Sequence, residues 1–363
     1  MIAFRAPGKL FIAGEYAVLD PGGAAVLVAV DRYVTATVTE PRTETVSTPN
    51  VDGHSDIRCE RIDGRAITPR PQRPGFDYVL AAVAAVERLA IEYGRQPQPF
   101  ELTTRGRGFA DPAGRKLGLG SSAAATVATI GALQAFYGLG LGLVQRFKLA
   151  LLATLMVNPQ TSGGDLAAST WGGWVHYRSP DRRWINAFAA RNGSAATVHT
   201  PWPGLAVRQL DQPNSVDLLV GSTGRPASTP TLTRLFHRGA RPPAADRAFV
   251  TASNACVQRL VTAIDSDDVA VIQVEIRQAR TLLADLDALS GLGILTDRLT
   301  ALCAAAEAAG AAAKPSGAGG GDCGIAIACR DRPEIAVEVD QRWRGAGILP
   351  LPLHVPASEG IGI

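Results

Sequence analysis

Gly118-Leu119-Gly120-Ser121-Ser122-Ala123-Ala124 sets two glycines and two serines immediately before a long apolar, Ala-rich run. Glycines let a main chain approach a phosphate closely and expose a row of N–H donors. A helix that starts just beyond adds its positive end and its unpaired amides. Ser121 and Ser122 contribute hydroxyls for phosphate or Mg2+. Both are also cap candidates for the helix predicted over 123–137, which Gly138 closes. As chemistry the segment is an anion cradle; the plainer alternative is a tight strand-to-helix turn. The string also fits G-x-G-x-x-A, but a dinucleotide site needs an acid for the ribose about 20 residues further on. Here no Asp or Glu occurs between Asp111 and Asp165, and G-x-x-x-x-G-K-[ST] occurs nowhere.

Two more glycine clusters lie toward the ends of the chain. Lys314-Pro315-Ser316-Gly317-Ala318-Gly319-Gly320-Gly321-Asp322 is predicted to join a long helix to a strand. So many glycines cost backbone entropy on ordering, which argues for close approach to a ligand over a plain connector. Ala6-Pro7-Gly8-Lys9, followed by Gly14-Glu15-Tyr16, fits by itself a strand–turn–strand with a surface lysine. Lysine usage sharpens the pattern. Of 36 basic residues only four are lysine, namely Lys9, Lys116, Lys148 and Lys314. Lys9 and Lys116 lie in or beside glycine segments and Lys314 opens another. A compact ammonium fits beside a phosphate where a planar guanidinium does not; chance placement is the competing reading. Lys148, in a helix predicted over 145–156, reads as a helix-surface lysine.

Around these motifs strands are predicted at 2–6 and 10–13, within 26–38, and at 100–104 and 172–178. A helix is predicted at 76–93. Residues 179–215, rich in Arg, Asn, Pro and Gly, read as a boundary region holding at most a short strand. Beyond it come a buried strand at 216–221, helical patterns at about 243–264, 267–288 and 294–313, a strand at 323–329, and a helix at 333–343. In a last strand at 348–355, Pro350 and Pro352 confine the segment to a sheet edge. The sum is an α+β pattern in two lobes, divided as 1–200 and 201–363.

The 363 residues are enough for a well-buried core. A net charge of +3, spread along the chain, gives no reason to expect nucleic acid or a membrane as partner. Five cysteines without a C-x-x-C pair fit a reducing compartment. The histidines show no metal-ligand spacing. The stretch 121–144, free of charged residues, is long enough to span a bilayer, but Gly138, Gly140 and Gly142 interrupt it, so it reads as a helix buried in protein.

The three glycine motifs, in this order, resemble those of the GHMP kinases, the family of galactokinase and of homoserine, mevalonate and phosphomevalonate kinases. The resemblance spans nearly the whole chain. It implies a two-lobed fold, with an N-terminal domain like ribosomal protein S5 domain 2 and a ferredoxin-like C-terminal domain. It also implies ATP on Gly118, Leu119, Gly120, Ser121, Ser122 and Ala123. Within the family, the bacterial phosphomevalonate kinases are most similar, through Ala6-Pro7-Gly8-Lys9-Leu10, Gly14-Glu15-Tyr16-Ala17-Val18-Leu19, the run from Lys116 to Ser122, Gly164-Asp165-Leu166-Ala167, Asp322-Cys323-Gly324, Asp77-Tyr78, and Gly221-Ser222-Thr223-Gly224 with Ser228.

That branch implies ATP-dependent transfer to (R)-5-phosphomevalonate, giving 5-diphosphomevalonate and ADP in isoprenoid synthesis. It implies Mg2+ as cofactor, a cytoplasmic location, and a monomer or homodimer. Lys9, Lys116 and Asp165 would be catalytic. Tyr16, Tyr78, Ser162, Gly163, Ser222, Ser316, Gly317 and Gly319 would bind the acceptor, and Ser122 the metal. Mevalonate kinases carry a metal-binding glutamate between the ATP loop and the catalytic aspartate, and this chain has none. Asp165, alone in its stretch, reads either as a base or orienting group for the acceptor, or as a loop residue capping a helix from Leu166. Arg105, Arg107, Arg115 and Lys116 are the candidate cations for an acceptor that is itself a phosphate ester. Mevalonate kinase, diphosphomevalonate decarboxylase and a non-catalytic sensor of the same fold are the alternatives.

Overall fold

β-branched and small apolar residues dominate the start of the chain, and they form two long antiparallel strands, β1 (Ile2–Ala13) and β2 (Ala24–Thr39). The computed structural model describes the chain except for residues 41–44, 51–52, 59, 63–64, 68–75, 226–231, 233–234, 237–241 and 357–363. Along β1 and β2 successive residues turn to opposite faces. Phe4, Ala6, Phe11, Ala25, Leu27, Val34 and Ala36 enter one core; Leu10, Ile12, Val26, Val28 and Val30 enter a second. Both faces of the sheet are therefore covered, which is why β2 shows no polar alternation at its start.

β2 pairs along its second half with β7 (Glu101–Gly106) and along its first half with β8 (Trp174–Arg178). The sheet is completed by β3 (Thr45–Asn50), β4 (Gly53–Arg58) and β9 (Ala206–Leu210). A separate hairpin joins β5 (Glu60–Ile62) and β6 (Arg65–Ile67). Helices α1 (Asp77–Glu92), α2 (Ser121–Phe136), α3 (Leu143–Val157) and α4 (Gly164–Trp171) build the first core.

The chain changes sheet between Leu210 and Val216. A four-stranded antiparallel sheet follows, from β10 (Val216–Ser222), β11 (Ala312–Ser316), β12 (Cys323–Cys329) and β13 (Leu349–Leu351), in the order β11-β12-β10-β13. β12 alternates like β2. Ile325 and Ile327 face the core shared with the first sheet; Ala326 and Ala328 face a core on the other side. The shared core also takes residues of a helix at Pro243–Asp265 (α6) and of one at Val269–Ser290 (α7). The outer core is closed by the helices Asp297–Ala308 (α8) and Pro333–Gly345 (α9). The two lobes thus share one apolar interface.

Several expectations are corrected. Residues 2–6 and 10–13 belong to one strand, bulged between Pro7 and Gly8. The N-cap of α2 is Gly120; Ser121 and Ser122 are its first helical residues and do not cap it. The 179–215 region holds a helix, α5 (Arg182–His199), in addition to β9. Its Arg- and Asn-rich composition hid it, because few of its side chains are buried and Gly193 breaks its geometry. The helix expected over 294–313 ends at Ala308, and Lys314 lies inside a strand rather than opening a loop. The Pro-rich last strand is indeed at a sheet edge. The apolar stretch 121–144 is α2 and a glycine turn, and no helix among the described residues is long and apolar enough to cross a membrane.

Candidate active site

The phosphate-loop segment is held from below by the first motif. Lys9 donates its main-chain N–H to the Leu119 carbonyl (2.9 Å). Gly118 and Gly120 have φ of 70° and 76°, the left-handed region. A Cβ at Gly118 would lie 2.7 Å from the side chain of Asp322, and one at Gly120 3.0 Å from that of Lys9. Glycine is required at both because charged side chains from the first and third motifs already press against the loop. Beyond Gly120 the open N-terminus of α2 presents Ser121, partly exposed, and Ser122, exposed.

Lys9 links this cradle to the other side of the site. It is buried on β1, its Nζ donates to the Gly118 carbonyl (3.2 Å), and it lies 5.5 Å from the centre of the Phe11 ring. Asp165 stands in the first turn of α4, whose N-cap is Gly163 with φ of 82°. Its Oδ1 accepts from the N–H of Leu166 (2.9 Å). Burial raises the Asp165 carboxyl above the usual carboxylate range; the Lys9 ammonium and the Leu166 N–H pull the other way. Burial also raises the Tyr78 phenol, and the charge of Asp165 raises it further. Ser162 accepts from Gly164 N–H on its hydroxyl (3.2 Å) and from the Tyr177 hydroxyl on its carbonyl (2.6 Å). Lys9, Asp165, Tyr78, Ser162 and Gly163 are thus brought together, although Lys9 and Asp165 come from opposite ends of the first lobe.

Other expected residues are placed differently. Tyr16 is buried with its hydroxyl on the Ala318 carbonyl, and Ser316 accepts from Phe11 N–H (3.0 Å) and donates to Phe11 O (2.9 Å). Both tie the lobes together, and each spends its hydroxyl proton on a main-chain carbonyl. Ser222 is buried and accepts from Gly224 N–H (3.3 Å). Gly319 packs against Ile294, whereas Gly317 has open space where a side chain would be. Ser228 lies outside the described residues.

Lys116 is exposed at the end of a turn in which Arg115 pairs with Asp111 at 2.7 Å; Arg105 and Arg107 are exposed too. Lys148 is the clear correction. It is buried, donates to the Thr200 carbonyl (2.7 Å) and lies over Trp202, so it is no helix-surface lysine.

Sequence reasoning missed Tyr177, which bonds the Ser162 carbonyl, and Arg182, which reaches it through Ser179. Burial raises the Tyr177 phenol and lowers the Arg182 guanidinium, which donates to the Leu19 carbonyl and to Ser179 Oγ (3.4 Å). Arg182 forms no ion pair among the described residues, and its arginine-rich stretch gave no signal to single it out. A cavity of about 450 Å3 between β10, β13 and α9 contains none of the residues of this site.

The family models for the GHMP kinase N-terminal and C-terminal domains match residues 77–173 and 272–346. Phosphomevalonate kinase of Streptomyces sp. (strain CL190) is 48% identical over 99% of this chain and 98% of its own length. The chain belongs to the GHMP kinase family. As a GHMP kinase it is a phosphotransferase, and its two sheets with their helices are the two-domain fold of the family. The kinase is also similar to mevalonate kinase of Thermococcus gammatolerans, at 28% identity over 92% of this chain and 91% of that one. Among solved structures it superposes on Streptococcus pneumoniae phosphomevalonate kinase in complex with phosphomevalonate and AMPPNP, with a TM-score of 0.84 at 29% identity. That match covers 98% of the kinase and 99% of the other chain.

Proposed function

We propose that the kinase transfers the γ-phosphoryl group of ATP to (R)-5-phosphomevalonate, giving ADP and 5-diphosphomevalonate. The observation that carries the reading is the buried Lys9 ammonium, which bonds the Gly118 carbonyl and acts on the Asp165 carboxylate at once. Support for the substrates comes from the near-half identity to a phosphomevalonate kinase along the full chain, and from the pneumococcal complex with phosphomevalonate and an ATP analogue.

In this reading the ATP phosphates rest on the main-chain N–H groups of the cradle and on the positive end of α2. A terminal oxygen of the acceptor phosphate attacks the γ-phosphorus as the bond to the ADP oxygen breaks. Lys9 offsets the charge that gathers on the moving group. The second ionisation of a phosphate monoester falls at about pH 6. Burial raises the Asp165 carboxyl above the usual carboxylate range, so in this reading it takes or shares the remaining proton and orients the acceptor. Arg182, half-buried and without an ion pair beside the Ser162 loop, is the cation assigned to the acceptor's own phosphate. Lys116 meets the nucleotide from the solvent side.

Mg2+ fits this donor set in one way. No group of three or more His, Cys, Asp or Glu among the described residues could hold a metal. Kinase Mg2+ is ordinarily held by phosphates and water with one or two protein ligands. Ser122, exposed at the start of α2, would be the protein ligand. The ion would supply neutralisation of phosphate charge.

The test is ADP release across mevalonate, phosphomevalonate, diphosphomevalonate, homoserine and galactose. Phosphomevalonate should exceed mevalonate at least about tenfold in kcat/KM, since one charge-assisted contact is worth roughly 1.5–3 kcal/mol. R182M should remove most of that preference. Preference for mevalonate would overturn the assignment, and release of CO2 would mark a lyase.

A further inference from the structure

Glu15 and Lys314 form an ion pair whose side chains are 3% and 0% exposed. They come from opposite lobes and neither has a role in the chemistry described so far. The Glu15 oxygen that meets Lys314 Nζ also accepts from the N–H of Gly317 (3.2 Å), while Lys314 Nζ makes a second bond to the Pro315 carbonyl (2.6 Å). Next to them, Ser316 is bonded to both main-chain groups of Phe11, and Tyr16 to the Ala318 carbonyl. The segment that follows Lys9 therefore grips residues 314–318 at several points. The far side of the glycine loop is anchored separately, by Gly320 N–H on the Ile294 carbonyl (2.9 Å). Between the two anchors Gly317, with φ of 89°, faces open space, and the loop ends at Asp322 against Gly118 of the cradle.

A buried ion pair gives little net stability, because desolvation of both charges offsets their attraction; a packed apolar pair of the same volume does as well. What such a pair supplies is a fixed separation between two segments, and here those segments are the first and third motifs. We propose that Glu15, whose buried charge Lys314 neutralises, is a positioning residue. Its oxygen sets the place of the Gly317 N–H and of the loop through Asp322 relative to Lys9 and the cradle, and so the place where the acceptor is received. The identity of the acceptor rests on the function proposed above; the device itself does not.

Two double variants separate position from stability. E15Q/K314M removes both charges but keeps an oxygen that can accept from Gly317 N–H. E15M/K314M fills the same volume and has no acceptor. Both should keep melting temperatures within a few degrees of each other. E15Q/K314M should retain kcat within about threefold of wild type. E15M/K314M should lose about tenfold or more in kcat and raise the acceptor KM severalfold, with the KM for ATP within about twofold, because the nucleotide lies on the other loop. Equal kinetics in the two double variants would overturn the proposal.

Y16F provides a second arm that does not depend on the folding of the first. It removes only the bond to Ala318 and should raise the acceptor KM about threefold or more. Unchanged kinetics in Y16F would also count against the device. If wild type turns over a different acceptor from the panel, the proposed function fails, and the same variants test the pair with that acceptor.

Discussion

Lys9 and Lys148 are near twins as side chains. Each is buried, and each donates to one main-chain carbonyl, Gly118 at 3.2 Å and Thr200 at 2.7 Å. Each ammonium lies over an aromatic ring, 5.5 Å from the centre of Phe11 and 5.2 Å from that of Trp202. They differ in the field they meet. Thr200 is the C-cap of α5, so Lys148 sits at the negative end of a helix, where a cation is favourable. Gly118 lies just before Gly120, the N-cap of α2, so Lys9 adds positive charge to an end that is already positive. The Asp165 carboxylate offsets that charge in part, and a bound phosphate would offset it further. Burial and hydrogen bonding do not distinguish a structural lysine from a working one; the sign of the surrounding field does.

The largest expected effect removes the carboxylate that Lys9 faces and Lys148 lacks. D165N should lower kcat by about 10²–10⁴ with ATP binding little changed. In the proposed reaction Asp165 works as the carboxylate, and burial moves its ionisation to higher pH. Wild-type kcat/KM should therefore rise with pH through a limb above the ordinary carboxylate range, and D165N should lose that limb. Near-wild-type activity would reduce Asp165 to a helix-start residue bonded to Leu166.

Next comes Lys9 itself. K9R and K9A should both cost about 10² or more in kcat, because the Lys9 stem is buried against Gly120 and its compact ammonium bonds the Gly118 carbonyl, where a planar fork would be displaced. Full activity in K9R would break the contrast with Lys148.

Lys116 should fall between the two. It is exposed, so K116A should lower kcat about tenfold while K116R, free to adjust in solvent, should stay within about threefold. Steady-state assays of both variants decide this.

The smallest catalytic effect belongs to Lys148. K148M should leave kcat within about twofold but cost roughly 1–2 kcal/mol of stability through the lost bond to Thr200, lowering Tm by about 2–4 °C. A fall in kcat without a fall in Tm would put Lys148 in the same class as Lys9.

The contrast also marks what could be read without coordinates. The glycine motifs, their order, and the helix after Gly120 are local features. They follow from which residues tolerate left-handed backbone and which repeat at helical spacing, so the cradle was legible. The α+β pattern was legible too, except at α5, where Gly193 and a polar surface left no apolar period to detect. The scarcity of lysine was visible in the sequence and singled out Lys9, which the structure buries beside the loop, but the same scarcity could not rank Lys148.

Which charges meet was decided by the tertiary structure alone. Lys9 comes within the field of Asp165 because β1 packs beside α4, Glu15 reaches Lys314 because β11 docks on the first lobe, and Tyr16 and Ser316 spend their hydroxyls on that same junction. Sequence spacing carries no trace of these pairings, because the energy that selects them comes from burying the faces of two sheets against shared helices. A side chain's partners are then whatever that packing brings within reach.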